Sequence, residues 1–210
     1  LFGEGSLTIA FIPIFTEYLT VDGKAEAFRL AGAAARLLSI LLVITAILGI
    51  LLSPLIMKLI AFGFTDSPET FALAVTLSRI MFPYVIFICL VAFSMGVLNA
   101  LGHFAAPALA PVLLNVGMIG AMILAAVSSE DMTVRVRGLA VGVLIGGFLQ
   151  LGLQVPFLIR VGFAFWRRAR MVHPGLKRIG RLMLPATFGE PPFESVDQAA
   201  GRILAALDKH

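Results

Sequence analysis

The feature that most constrains this chain is the run of residues 37–57, which contains no charged side chain. Folded as an α-helix that rises about 1.5 Å per residue, a run of this length matches the hydrocarbon thickness of a bilayer. Its hydroxyl groups belong to Ser39, Thr45 and Ser53, so most of the helix surface is suited to contact with lipid. The run therefore predicts a membrane-spanning helix, with bounds at 35–62.

Four further apolar segments follow the same pattern, and we predict an all-α, polytopic membrane protein. The chain is 60% hydrophobic and 13% charged, whereas soluble domains carry about 25% charged residues. Runs this long and continuous favour helices over the alternating strands of a membrane barrel. The predicted segments are 1–19, 35–62, 71–101, 106–128 and 137–160, with the start of another at 175–189.

The end of the chain differs in character from the rest. Residues 190–210 are charged, contain two prolines and end in an amphipathic stretch too short to cross a bilayer. We interpret 1–189 as the membrane domain and the tail as the product of a frameshift or fusion; the alternative is a helix lying on the membrane surface. The start at Leu1, without a signal-peptide pattern, indicates an internal piece of a longer protein.

Basic residues near the segment ends predict the orientation. The stretch 160–181 contains seven Lys and Arg residues, and such stretches stay on the cytoplasmic side. Alternation then places a polar loop at 20–34 and the Gly102–His103 turn on that side as well. The loops at 63–70 and 128–133 fall outside, and neither contains Lys or Arg.

No group of side chains predicts catalysis. His103, His173 and His210 are far apart in sequence and lack the spacing of metal ligands. The net charge of +4 arises from residues near segment ends rather than from a basic face that would bind nucleic acid. We therefore expect no enzyme, no metal, no cofactor and no nucleic-acid partner.

Polar residues inside the predicted spans are the candidate functional residues, because they are costly to place in lipid. Glu4 and Gly5 open the first segment, where the carboxylate either lies at the membrane interface or faces a cavity. Arg79 either reaches the outer interface or pairs with Asp66 or Glu69, or else it faces a wet cavity. In that last case Pro83 would break the helix hydrogen bonds beside it.

A second polar group lies at the turn between two spans. Pro107, Pro111 and Asn115 recur every four residues and share one helix face. Pro107 suits a helix start, Pro111 is expected to bend the helix, and Asn115 either bonds to a neighbouring helix or lines a cavity. Asn99, just before the turn, can cap the carbonyl groups of the preceding helix.

The last complete span contains a stripe with the same four-residue period. Its members are Gly138, Gly142, Gly146, Gln150 and Gln154. Glycines in such a stripe let a neighbouring backbone approach closely, and the amides can bond where the helices diverge. We interpret the stripe as a packing surface.

Three stretches resemble the bacterial lipid II flippases of the MurJ or MviN family. They read "FGEGSLTIAFIPIFTEY", "RIMFPYVIFICLVAFSMGVLNALGHFAAPALAPVLLN" and "GGFLQLGLQVP". That family typically shows F-A-E-G-A-F-x-x-A-F-x-P, then F-P-Y, then L-N-x-x-x-x-F-x-x-P-A-x-A-P-x-x-L-N. The resemblance covers about residues 1–189 in the family's order and spacing.

The resemblance implies an alternating-access transporter of fourteen helices in the bacterial cytoplasmic (inner) membrane, of which this chain holds part of one lobe, about helices 2–7. Its cargo would be the undecaprenyl-pyrophosphate-linked peptidoglycan precursor, its other contacts membrane lipids, and the full-length protein a monomer. Glu4 and Gly5 match the family's acidic residue and glycine, and Arg79 matches a basic residue ahead of F-P-Y. The family's main cavity arginines fall outside this chain.

Two alternatives remain at this point. The first is another exporter of the same multidrug/oligosaccharidyl-lipid/polysaccharide superfamily, for polysaccharide lipids or drugs, although those exporters generally lack the motifs quoted above. The second is an inactive truncated fragment or a membrane scaffold.

Overall fold

The computed structural model describes residues 2–61, 63, 67–165 and 173–187, with residues 2–9 and 182–187 described by backbone alone. Seven α-helices and no strand are found within those ranges: α1 (Phe2–Val21), α2 (Lys24–Ile60), α3 (Pro68–Met81), α4 (Tyr84–Ala100), α5 (Ala105–Ser128), α6 (Met132–Arg160) and α7 (Pro174–Thr187). The prediction of an all-α protein is confirmed. The interpretation of the tail at 190–210 concerns residues outside the described ranges.

Four of these stretches are long and apolar enough to cross a bilayer: α2, α3 joined with α4, α5, and α6. The apolar part of α1 that the structure describes is shorter, Ala10–Val21. A polytopic membrane protein is thus confirmed, while the first predicted segment, 1–19, is not among the four long stretches. α5 and α7 each begin one residue before the predicted position.

The predicted loop at 20–34 is wrong for most of its length, because α2 already begins at Lys24. With 37 residues, α2 is about 55 Å long at 1.5 Å per residue, whereas the hydrocarbon core is about 30 Å thick. A helix this long can carry Glu26 and Arg29 on turns that extend beyond the lipid. The chain reverses at Gly23, whose φ of 85° is readily accessible only to glycine.

The span predicted at 71–101 is two helices rather than one. α3 ends at Met81 and α4 begins at Tyr84, with Pro83 at the break. Proline has no N–H to donate and its ring crowds the preceding turn, which explains why the helix is interrupted there. The ring of Phe82 then lies directly on Gly49 of α2, where any side chain would collide with it.

The end of α4 is capped by backbone groups and not by Asn99, contrary to the expectation from sequence. The N–H of His103 donates to the carbonyl of Leu98 at 2.8 Å, and the N–H of Gly102 donates to the carbonyl of Asn99 at 3.0 Å. This is a Schellman turn, which needs a left-handed residue, and Gly102 supplies it with a φ of 77°. The side-chain Oδ1 of Asn99 is buried without a partner among the described residues.

α6 begins at Met132 and not at the predicted residue 137, so its first turn lies partly in the predicted loop at 128–133. Its N-cap is Asp131, whose carboxylate accepts a hydrogen bond from the N–H of Thr133 at 2.8 Å. The Nε of Arg135 donates to the carbonyl of Ser129 at 2.9 Å and ties the first turn to the preceding residues. The N-cap satisfies an N–H group that a helix start otherwise leaves unpaired.

The main core lies where the ends of α1, α2, α4, α6 and α7 meet. Gly162, with a φ of 94°, turns the chain after α6 so that Phe163 folds back onto the bundle. The ring of Phe163 lies 5.7 Å from that of Phe28 and 6.3 Å from that of Phe93, between centroids. Aromatic pairs at such separations stabilise packing beyond the area they bury, so this end of the molecule is held together firmly.

Candidate functional site

The closest helix contact involving the predicted polar and small residues is the one between α5 and α6. Gly138, Gly142 and Gly146 of α6 face α5, and a methyl group added at Gly142 would lie 2.6 Å from the Cβ of Ala121. One added at Gly146 would lie 2.9 Å from the Cα of Leu114. The two backbones therefore approach as closely as small residues permit. We call this contact the α5–α6 seam.

The two glutamines of the stripe are buried, and three of their four polar side-chain atoms have no hydrogen-bond partner in the described part of the chain. Gln150 is 6% exposed and Gln154 is fully buried. Neither Oε1 atom, nor the Nε2 of Gln154, has a hydrogen-bond partner among the described residues. A buried amide without a partner is destabilising by about 1–3 kcal/mol, so these amides are not ordinary core residues.

Arg79 lies on α3 and is exposed. It forms no ion pair with Glu69 in the described part of the chain, because ten residues of helix separate the two by about 15 Å. The suggested pairing with Asp66 concerns a residue outside the described ranges. The arginine is therefore available to a group on another helix, to water or to a ligand.

An open surface groove of about 450 Å³ lies between α2 and the α3–α4 break, and Arg79 is not part of its lining. Its lining is apolar apart from Ser78, whose hydroxyl donates to the sulfur of Met57 at 3.2 Å. Phe82, which stands at the break, forms part of the wall. Such a lining suits hydrocarbon and not an anion.

The face that Pro107, Pro111 and Asn115 share is only partly buried. Pro107, the third residue of α5, is buried, whereas Pro111 and Asn115 are exposed. The proposed bond from Asn115 to a neighbouring helix is absent from the described residues. An exposed amide in the middle of an apolar helix is expensive in lipid, so a polar partner or water should cover it.

Glu4 and Gly5 lie in the first turn of α1, in the part described by backbone alone. The structure places Arg79 on α3 and Asn115 on α5, without a hydrogen bond between them in the ranges it describes. The candidates are thus distributed over three helices, and the described part of the chain does not gather them into one pocket.

A polar cluster that the sequence did not predict joins α7 to the hairpin of α1 and α2. The two terminal guanidinium nitrogens of Arg178, Nη1 and Nη2, donate to the carboxylate of Glu17, each at 2.9 Å. The Nε2 of His173 lies 3.2 Å from Oε1 of Glu26. We call these four residues the α7 clasp. Its pairs are 161 and 147 residues apart in sequence, so no local pattern could have indicated them.

Helices of membrane-spanning length, a seam of glycines and isolated polar side chains within the spans define a polytopic α-helical membrane protein. The sequence profile of a family described as "Lipid II flippase MurJ" matches residues 1–193. The chain belongs to this family, which confirms the resemblance seen in the motifs.

Curated relatives from several bacteria agree with that assignment. The chain is 38% identical over 191 residues to the "Lipid II flippase MurJ" of Burkholderia cenocepacia, covering 88% of this chain and 36% of the relative. It is 38% identical to the "Probable lipid II flippase MurJ" of Bdellovibrio bacteriovorus, covering 90% and 36%. For the protein of the same name from Vibrio cholerae the identity is 37%, covering 90% and 37%. The chain therefore spans little more than a third of the length of these relatives.

Proposed function

We propose that this chain forms part of a transporter that moves lipid II, the undecaprenyl-pyrophosphate-linked peptidoglycan precursor, from the inner to the outer leaflet of the bacterial cytoplasmic membrane. The observation that carries the proposal is the family match over residues 1–193, together with relatives that are named for this activity. Four stretches of membrane-spanning length support a multi-pass location. In this proposal the transporter is monomeric and uses no cofactor.

Within that transporter, Arg79 and Asn115 are the described residues best suited to a polar route through the membrane. Both are exposed on helices whose other exposed side chains are mostly apolar. A guanidinium binds phosphate oxygens through paired hydrogen bonds, and an amide can donate to the same oxygens. We assign the faces that carry these two residues to the cargo or to the helices that enclose it.

Glu4 and Gly5 have a different role in the proposal. In the proposal Glu4 lies beside arginines that the family carries just before the E-G pair, outside this chain. A carboxylate within about 4–6 Å of a guanidinium keeps its charge and holds the arginine in position. Gly5 would allow another backbone or the cargo to come close. These two residues would therefore orient the pyrophosphate site rather than bind the cargo themselves.

A segment exchange tests the proposed function. Residues 1–193 of this chain replace the aligned segment of the Burkholderia cenocepacia relative, and the chimera is expressed in a strain depleted of its own flippase. We expect growth to be restored and lipid II to appear in the outer leaflet, because the segment would supply compatible helices. Membrane abundance is measured in parallel. A chimera that inserts at normal abundance but moves no lipid II would contradict the proposal.

The same chimera tests the role of Arg79. Arg79→Gln removes the charge and should lower lipid II movement at least several-fold, whereas Arg79→Lys, which keeps a cation, should retain more of it. Leu59→Gln on α2 is the matched control, since Leu59 is also an exposed side chain of a spanning helix. Equal activity of Arg79→Gln and the parent chimera would remove Arg79 from the proposed route.

A further inference from the structure

The more exposed contact of the α7 clasp is an ion pair between α7 and α1 that consists of two hydrogen bonds. Arg178 and Glu17 form two parallel hydrogen bonds of 2.9 Å, with their side chains 54% and 49% exposed. A bidentate arginine–carboxylate pair is directional, because the planar guanidinium fits the carboxylate in one orientation. The pair therefore fixes the rotation of α7 relative to α1, although solvent weakens its attraction.

The more buried contact of the clasp depends on both ring nitrogens of His173. The N–H of Gly175 donates to Nδ1 of His173 at 3.1 Å, so Nδ1 carries no proton and Nε2 is the nitrogen that donates to Glu26. The ring, 9% exposed, thus caps the first turn of α7 and at the same time bonds to α2. It also meets the edge of Tyr18, 5.3 Å away between centroids.

An apolar contact lies under both polar ones. Ile179 is 5% exposed and belongs to the main core, and Leu176 packs against that core. Lys177 and Arg181 lie on the exposed side of the same turns. The start of α7 is therefore an amphipathic element whose apolar side faces the hairpin of α1 and α2 and whose register there is set by His173 and Arg178.

We propose that the α7 clasp is a latch, in which both polar contacts together hold the start of α7 on the α1–α2 hairpin and the loss of either one loosens it. While they are intact, the first turns of α7 and the hairpin move as one body. Neither contact alone is enough, since the ion pair is half exposed and the histidine bond joins a single pair of atoms. This inference concerns how α7 is held and does not depend on the identity of the cargo.

Hydrogen–deuterium exchange of the backbone amides in α7 tests the latch on the full chain in lipid nanodiscs. Arg178→Gln should raise the exchange rate at 176–181 about three- to fivefold, as expected for loss of a partly exposed ion pair. His173→Asn keeps a capping side chain but cannot reach Glu26, and should also raise exchange. The reversed pair Glu17→Arg with Arg178→Glu should return the rate to within about twofold of the parent.

Arg181→Gln is the matched control, because Arg181 is an exposed arginine one turn further along α7. It should leave the exchange rate unchanged. Equal effects of Arg178→Gln and Arg181→Gln would overturn the latch, as would a reversed pair that exchanges as fast as either single variant. Exchange in α5, measured in the same samples, reports whether a variant has disturbed the whole fold.

Discussion

Gln154 is a polar side chain buried where an apolar one would be expected. It is fully buried on α6, yet neither polar atom of its side chain has a partner among the described residues. Leu158, one turn further along, fills the same side of the helix with an apolar side chain and is 1% exposed. The contrast indicates that the amide contributes little to stability through contacts within this part of the chain.

Replacing Gln154 by Met should therefore leave the protein as stable as before, or stabilise it by about 1 kcal/mol, because no hydrogen bond between described residues is lost and an unpaired buried amide is removed. Thermal unfolding in detergent measures the change. Leu158→Met serves as the control and should cost less than about 1.5 kcal/mol. A clear loss of stability for Gln154→Met alone would show that the amide has a partner elsewhere in the folded protein.

Between elements, the α5–α6 seam depends on the absence of side chains at specific positions. A Cβ atom at Gly142 would lie 3.0 Å from the carbonyl oxygen of Gly117 and 3.2 Å from the Cα of Met118. Both are backbone atoms, which can give way only if the whole helix shifts. By contrast, a Cβ atom at Gly152, on the same helix, meets nothing within 4 Å.

Gly142→Leu should accordingly destabilise the protein by about 1–3 kcal/mol or more through overpacking. Gly152→Leu is the matched control and should be neutral or slightly stabilising, since leucine favours helix more than glycine does. Leu51→Ala, at a residue 66% exposed, should also change little. The melting temperatures of the three variants decide the matter, and equal values for Gly142→Leu and Gly152→Leu would rule out the seam as a close contact.

The sequence predicted the helices well where apolar length decided the outcome and poorly where Pro83 or polar side chains did. The α5 bounds were nearly correct because lipid-length runs have few other ways to fold. The sequence does not reveal the start of α2, because Glu26 and Arg29 are typical of loops as well as of a helix that extends beyond the lipid, where charges carry no great cost. The α7 clasp was missed because its partners meet only after the chain has folded.

Across the whole molecule, the helix ends and turns that the distribution of Lys and Arg assigns to the cytoplasmic side lie close together. The reversal at Gly23, the turn at Gly102 and the turn at Gly162 all lie around the core where α1, α2, α4 and α6 meet. Phe28 and Phe163 join two of these places directly. The N-cap of α6 at Asp131 belongs to the opposite end, since α6 runs 29 residues from there to Arg160.

This arrangement predicts which surface of the membrane each turn reaches. Since basic residues keep their end of the bundle in the cytoplasm, single cysteines at Asp22 and His103 should be cytoplasmic and one at Glu130 extracytoplasmic. In a Cys89→Ser background, a maleimide that cannot cross the membrane should label position 130 in intact cells, and positions 22 and 103 only after the cells are opened. Labelling of 22 and 103 in intact cells would invert the assignment. It would also place the α7 clasp on the outer surface, where it would face the periplasm instead of the compartment in which the proposed cargo is made.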